Sequence, residues 1–152
     1  MLPAIAYTIA CFIIAALLTC GYVLTRPVHV RDEMRSWRVM LALFALCFAG
    51  PYLYNEVLTR IHGPELEKAL KTAYADLPIN GGHMIYYKVT SFGGNEAKVL
   101  LVSEEKMEWG GTDHPQISLV LQKQGKSWKT ISYKVLNSER LNKETYVFPV
   151  YW

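Results

Sequence analysis

Two long apolar stretches fill the first third of the chain. Residues 2–25 contain no Asp, Glu, Lys or Arg, and a second apolar stretch covers residues 39–54. A helix rises about 1.5 Å per residue and needs roughly 20 apolar residues to cross the hydrocarbon core of a bilayer. The first stretch is long enough by itself, and the second becomes long enough when Trp37 and Arg38 lie in the membrane interface. The pattern therefore predicts two transmembrane helices.

Arginines cluster in the segment between the two stretches, residues 26–38, where only Asp32 and Glu33 oppose them. Basic residues are favoured on the cytoplasmic side of a membrane, so this loop is expected to be cytoplasmic and both termini extracytoplasmic. We expect an integral protein of the bacterial inner membrane. The residues predicted to determine this topology are Arg26, Arg31, Arg35 and Arg38.

A cleaved signal peptide is the alternative interpretation of the first stretch. In a signal peptide basic residues precede the apolar core, whereas here they follow it. The segment from Leu17 to Gly21 is similar to a bacterial lipoprotein processing site around Cys20. Because no basic residue precedes it and a second apolar stretch follows, a retained helix is the favoured interpretation.

Small residues recur four positions apart in both stretches. This spacing allows two helix backbones to approach closely in lipid, where side-chain packing drives association. Alanine is also simply common in apolar helices, so the spacing has a second explanation. If it matters, the two helices pack on each other or on a neighbouring subunit. The candidate packing residues are Ala6, Ala10, Ala45 and Ala49.

The rest of the chain predicts an α+β domain. Gly63 and Pro64 are expected to end the membrane helix and to begin a second helix, whose apolar residues recur every three or four positions up to Leu77. Residues 99–102 are apolar on both faces, which predicts a strand that is central or covered on its second side. Alternating residues and glycine-rich turns predict four strands in an antiparallel meander, at 83–91, 96–109, 116–124 and 127–137.

The predicted organisation therefore has three parts. Residues 1–58 form a two-helix transmembrane hairpin with its basic loop at 26–38, residues 59–144 form an extracytoplasmic domain of one helix on a four-stranded antiparallel sheet, and residues 145–152 form an aromatic tail. All three cysteines lie in the apolar stretches, so the outer domain has no disulfide and depends on its hydrophobic core.

The tail is rich in large apolar side chains, although terminal segments are commonly polar. One explanation is an edge strand on the domain's own sheet, with Pro149 restricting it to an edge. The others are a docking peptide for a partner subunit and an aromatic anchor at the membrane interface. The candidate docking residues are Tyr146, Phe148, Tyr151 and Trp152.

Residues that commonly perform chemistry are scattered. His114 beside Asp113 has the composition of a metal or acid–base pair, but a solvated turn is the favoured interpretation. Glu56 with Asn55, near the outer end of the second stretch, is the pair most worth testing. The other histidines have no partner at metal-ligand spacing, and three glutamates are expected to form a solvated strand end: His29, His62 and His83, and Glu104, Glu105 and Glu108.

The sequence favours no cofactor and no nucleic-acid partner. From Arg60 onward, twelve basic and ten acidic residues are interspersed, whereas phosphate binding requires a basic patch or stripe. No phosphate loop, nucleophile elbow or CxxC pair is present. The expected partners are the lipid bilayer and other membrane protein subunits, and the sequence does not identify a small-molecule ligand.

One resemblance bears on function. The helix at 66–77, the strand beginning Asn95-Glu96-Ala97-Lys98-Val99 and the glycine–lysine turn before Trp128 resemble the membrane-anchored cytochrome oxidase assembly factor family, over residues 64–138. A cystatin-like sheet fits the same pattern. The resemblance implies a non-catalytic accessory, assembly or scaffold subunit of a larger membrane complex, of the respiratory or electron-transfer kind.

Two other functional classes stay open on the sequence. The first is an anchored binding or sensor domain that holds a ligand between the helix and the sheet, near Tyr74, Tyr87 and Tyr133. The second is an enzyme, which needs polar side chains that converge on a pocket, for example around His83 or His114.

Overall fold

The computed structural model describes residues 2–27, 35–77, 82–107, 109–145, 147, 149 and 151. The chain is α+β and divides into two compact units, Met1–Leu53 and Tyr54–Trp152. The boundary lies within a helix, a few residues before the predicted end of the hairpin. The tail belongs to the second unit.

The first unit contains helix α1, Leu2–Leu24, and the first part of helix α2, Ser36–Ala75. Both helices are long and apolar enough to cross a membrane. Tyr7 joins them, because its hydroxyl lies 3.1 Å from the carbonyl oxygen of Cys47 and 2.7 Å from that of Phe48. The stripe of α1 that continues from Tyr7 is buried and consists of Cys11, Ala15 and Thr19.

Three of the four candidate packing alanines are exposed in this unit. Ala6 and Ala10 on α1 are exposed, as is Ala45 on α2, while Ala49 is half-buried. Ala6 and Ala10 are spaced four residues apart on α1, and so are Tyr7, Cys11, Ala15 and Thr19. The second set packs, and its Tyr7 hydroxyl donates to two carbonyl oxygens of α2. Ala6 and Ala10 therefore lie on the exposed surface of this unit.

Helix α2 does not break at Gly63 and Pro64, contrary to the prediction. Proline removes one backbone donor and disfavours a helix interior, but packing overrides this preference when the helix face is buried. Gly63 is buried, and a Cβ atom there would meet the Tyr87 hydroxyl at 3.0 Å. The glycine therefore allows α2 to lie close to the first strand, which is a different role from ending a helix.

The second unit combines the second part of α2 with an antiparallel sheet of six strands, where four were predicted. The strands are β1 His83–Phe92, β2 Glu96–Lys106, β3 Thr112–Asp113, β4 Gln116–Gln124, β5 Ser127–Ser138 and β6 Lys143–Glu144. The four long strands form the expected meander, and the two short strands β3 and β6 pair with the ends of β2 and β5. Gly125, with φ of 65°, makes the turn between β4 and β5.

The strand order is β1-β2-β4-β5-β6, with β3 paired to the end of β2. β2 therefore has a neighbour on each side, in agreement with the apolar run at residues 99–102. Leu66 and Leu70 of α2 cover one face of the sheet and form the core with Val89, Val99, Leu101, Ile117, Leu119 and Leu121. Leu100 and Val102 point to the opposite face and are also buried.

Candidate functional site

The tail returns to the second unit through Tyr151. Asn55 Nδ2 on α2 donates a hydrogen bond to the Tyr151 hydroxyl at 2.9 Å, and Gln116 Nε2 on β4 donates to the Tyr151 carbonyl oxygen at 2.6 Å. Asn55 is only 4% exposed. Tyr151, proposed from the sequence as a docking residue, is thus held by its own domain, and Tyr146, Phe148 and Trp152 lie outside the described residues.

Tyr151 lies on the sheet face opposite the α2 core. Tyr86, Val102 and Gln116 are direct cross-strand partners, so their side chains share one face, and Gln116 contacts Tyr151. Burial raises the pKa of the Tyr86 phenol, and the nearby Tyr151 raises it further. The described tail residues after Glu144, which are 145, 147, 149 and 151, are not assigned to a strand.

The Asn55–Glu56 pair singled out from the sequence lies where α2 meets the edge strand β1. Lys88 donates a short hydrogen bond to Glu56 Oε2, and Arg60 Nε lies 3.5 Å from Glu56 Oε1. The hydrogen bond from Lys88 and its positive charge hold the pKa of Glu56 below its ordinary value. The Val89 N–H, one donor of the sheet edge, is satisfied by Thr59 Oγ1 at 2.9 Å. These contacts attach the helix to the sheet.

Asp113 is not part of a solvated turn. It is buried, and its Oδ2 accepts hydrogen bonds of 3.0 Å from the Ser138 hydroxyl and from the Glu139 N–H. His114 is exposed and does not share this site. The carboxylate therefore connects β3 to the end of β5.

The prediction that Glu105 belongs to a solvated strand end is wrong. Its side chain is 1% exposed and accepts a charge-assisted hydrogen bond from Arg140 Nε at 2.8 Å. The sequence does contain a signal for the burial of Glu105, because position 105 continues the alternation of the buried positions 99, 101 and 103. The partner Arg140 gave no such signal, since it lies in the turn after β5. Glu104 is partly exposed, and Glu108 lies outside the described residues.

The histidines are dispersed. The His62 ring stacks on Phe92 with the ring centroids 3.6 Å apart, and its Nδ1 lies 3.2 Å from Glu65 Oε1. His83 lies 3.6 Å from Glu104 on the neighbouring strand. Across the described residues, no group of three or more His, Cys, Asp or Glu side chains has the geometry to hold a metal ion. His29 lies outside the described residues.

A groove of about 560 Å³ lies between α2 and the start of β5. Charged residues line it on both sides, with Glu65, Lys68 and Asp76 on or next to the helix, Lys126 in the turn before β5 and Lys129 on β5. Trp128 is 7% exposed at its border, and the indole Nε1 has no hydrogen-bond partner among the described residues. The volume falls in the range of small-molecule sites.

The three tyrosines proposed as ligand contacts do not converge on this groove. Tyr74 and Tyr87 pack against the hydrophobic core, and burial raises the pKa of both phenols. Tyr133 is 51% exposed and borders a smaller groove of about 180 Å³ that continues from the first past Ala73 and Thr130. Leu66 and Leu70 fill the space between the helix and the middle of the sheet, and the groove lies to one side of them by β5.

At the loop ends of the apolar helices, the basic residues interact with aromatic rings. The Arg26 guanidinium donates a hydrogen bond of 2.8 Å to the Tyr22 hydroxyl and lies 4.8 Å from the ring centroid. Arg38 lies 5.6 Å from the ring centroid of Trp37. Arg35 is exposed before the start of α2, and Arg31 lies outside the described residues. Such pairs are typical of a membrane interface.

No family model, no curated protein and no solved structure matches the chain. The resemblance to the cytochrome oxidase assembly factor family therefore stays a prediction from the quoted residues.

Proposed function

We propose that this protein is an integral membrane protein whose sheet domain is a non-catalytic accessory, assembly or scaffold subunit of a larger membrane protein complex. The observation that carries the proposal is the apolar surface of the two helices. Ile9, Phe12 and Leu17 on α1 and Leu46 on α2 are each more than half exposed. A soluble protein rarely exposes so continuous an apolar surface, whereas lipid or neighbouring apolar helices would cover it.

The proposed orientation places the basic loop in the cytoplasm and the sheet domain outside, in the inner membrane of a bacterium. The contacts of Arg26 with Tyr22 and of Arg38 with Trp37 support an interface at the loop ends of both helices.

The accessory role is supported by how the sheet domain uses its buried polar groups. Glu105 pairs with Arg140, Asp113 accepts from the end of β5, and Asn55 holds Tyr151. Each of these groups joins two elements of the domain's own fold. A surface built from such a fold is suited to binding a neighbouring subunit, and the resemblance proposes a respiratory or electron-transfer complex as its setting.

Single-cysteine labelling tests the orientation. In a background where Cys11, Cys20 and Cys47 are alanine, Ser127→Cys reports on the β4–β5 turn and Ser36→Cys reports on the loop end of α2. A membrane-impermeant maleimide should label the first variant in intact cells, and the second only after permeabilisation. Labelling of both sites, or of neither, in intact cells would contradict the topology.

Purification in mild detergent tests the accessory role. The full chain is expected to co-purify with the same membrane subunits in a fixed ratio, as measured by mass spectrometry of cross-linked and uncross-linked samples. A chain that purifies alone from both samples would contradict the proposal.

The groove beside β5 favours a second candidate function, an anchored ligand-binding or sensor domain. Ala73 lies on the helix wall of both parts of the groove. A small ligand retained by the purified chain would be detected by native mass spectrometry, and Ala73→Trp should release it by filling the groove. Ala4→Trp on α1 is the matched control and should leave the ligand bound.

A further inference from the structure

Within the described part of the chain, the outer edge of β5 is open along most of its length. β4 pairs with one side of β5, and β6 pairs with the other side only at Asn137 and Ser138. Thr145 N–H donates to the Leu136 carbonyl oxygen and extends this contact by one residue. Along residues 128–135, no described residue makes a backbone hydrogen bond to that outer side. A strand edge of this kind presents free N–H and C=O groups to a further strand.

The groove beside β5 is the space that such a strand would enter. Its floor and one wall come from Trp128 and Thr130, and the opposite wall is the helix α2 at Ala69 and Ala73. The smaller groove continues it along the edge as far as Tyr133. Eight extended residues span about 26 Å, which matches the length of the open edge.

Two buried polar atoms point to an occupant of this groove. Trp128 Nε1 and Thr130 Oγ1 are buried and have no hydrogen-bond partner among the described residues. Buried polar groups in folded proteins are nearly always paired. A chain that lies beside β5 would bring acceptors and donors to them, besides pairing the strand backbone.

The charge around the edge selects the kind of chain. β5 and the turn before it carry Lys126, Lys129 and Lys134, and no acidic residue occurs between Gln124 and Ser138. On the helix side, Lys68 is accompanied by Glu65 and Asp76, so that wall has no excess of positive charge. Lys129 and Lys134 pair with Gln122 and Ser118 and lie on the face away from the core. Because successive side chains of an added strand point to opposite faces, glutamates and aspartates are favoured on the face of the incoming strand that meets these lysines.

A second copy of this chain is a poorer occupant. Two β5 edges brought together would place their lysines against one another, and lysines on an edge are a common means of preventing such pairing. β5 also carries an extra residue, Ile131, in its register with β4, and any strand that adds to this edge has to follow the bend of this bulge.

We propose that the open edge of β5 is the docking site for an extended, acidic segment of a partner subunit, which adds to the sheet as a strand under α2. The inference rests on the proposed accessory function and names its interface. Main-chain hydrogen bonds would supply the pairing, and the lysines and the apolar Ile131 and Tyr133 would select the side chains.

Protection of an edge residue from labelling tests the proposal. Ser132 is exposed and borders the smaller groove, so Ser132→Cys is introduced into the cysteine-free background, with Ser91→Cys on β1 as the matched control. The rate of maleimide labelling is compared in native membranes and in the purified single chain. If the partner segment occupies nine-tenths of the β5 edges, labelling at position 132 should be about tenfold slower in membranes, with no change at position 91.

Charge reversal separates an acidic strand from other occupants. Lys126→Glu with Lys129→Glu should restore fast labelling at 132 in membranes, whereas Lys98→Glu, on β2, should not. Equal rates at 132 in membranes and in the purified chain would overturn the proposal. A disulfide between two copies of the Ser132→Cys variant would also overturn it, because that result identifies a second copy as the occupant. Protection that survives charge reversal and is lost on dialysis would overturn it as well, because that result identifies a small ligand.

Failure of this test is distinguishable from failure of the proposed function. Subunits that co-purify with a chain whose edge labels rapidly would leave the accessory role standing and would place its interface elsewhere. Trp128 fluorescence, which reports burial of the indole, confirms that each variant is folded.

Discussion

The hydrogen bond between Asn55 and Tyr151 decides whether the tail belongs to the fold or is free to dock. Tyr151→Phe removes the hydroxyl that accepts from Asn55 Nδ2 and keeps the aromatic ring. Because Asn55 is 4% exposed, its amide cannot easily find water as a replacement. The variant therefore leaves a buried donor unsatisfied without removing apolar contact.

The two single variants are expected to lose different amounts of the free energy of unfolding, because only Tyr151→Phe leaves a buried group unsatisfied. An unsatisfied buried donor costs about 1–3 kcal/mol of the free energy of unfolding. Asn55→Ala should cost less, about 1 kcal/mol, because the partly exposed Tyr151 hydroxyl can be hydrated when its donor is gone. In a double-mutant cycle the two changes should therefore be non-additive, and the size of the coupling measures the bond.

Urea unfolding of the full chain in detergent micelles, followed by tryptophan fluorescence, measures these free energies. Tyr133→Phe is the matched control, because Tyr133 is 51% exposed, and its effect should stay within about 0.5 kcal/mol. A Tyr151→Phe variant as stable as the control, or a cycle with no coupling, would refute the reasoning and would return the tail to the docking hypothesis.

Three further predictions follow from contacts within the second unit. Lys88→Gln should raise the pKa of Glu56 toward its ordinary value, as measured by NMR titration. In the unchanged chain, the contribution of Glu56 to stability is full above the ordinary glutamate pKa and is lost as the pH falls below it. Arg140→Met should cost about 3 kcal/mol by urea unfolding because it leaves the buried Glu105 without this partner, whereas replacing both residues by apolar ones should cost less. Gly63→Leu should cost about 1–3 kcal/mol, since even a Cβ there meets the sheet, and a gain in stability would contradict this close approach.

Local pattern predicted most elements of the fold because their causes are local. Alternation of apolar residues predicted the four long strands, and the glycine in the β4–β5 turn has the positive φ that such a turn requires. The apolar run at 99–102 correctly predicted a strand covered on both faces. The two-residue strands β3 and β6 carry too few residues to show a period, so the sequence did not reveal them.

The misread residues are those whose environment comes from a distant element. Gly63 and Pro64 have the composition of a helix end, yet the neighbouring strand holds α2 helical through them. Glu105 has the composition of a surface residue, yet a turn more than thirty positions away brings Arg140 to it. A short stretch of sequence reveals neither the strand that packs on Gly63 nor Arg140 as the partner of Glu105, because contacts between distant elements bring them together.

The sequence by itself determined the two apolar helices, the basic segment between them and the meander of four long strands, since periodicity and hydropathy act over a few residues. Only the tertiary structure decided that the predicted domain helix is the second part of α2, that Tyr151 returns to Asn55 and that Asp113 and Glu105 are buried with partners. It also decided that, within the described part of the chain, the edge of β5 stays open beside a groove. These features depend on contacts between residues far apart in the chain, and the free energy of such contacts is set by the packing of the whole domain.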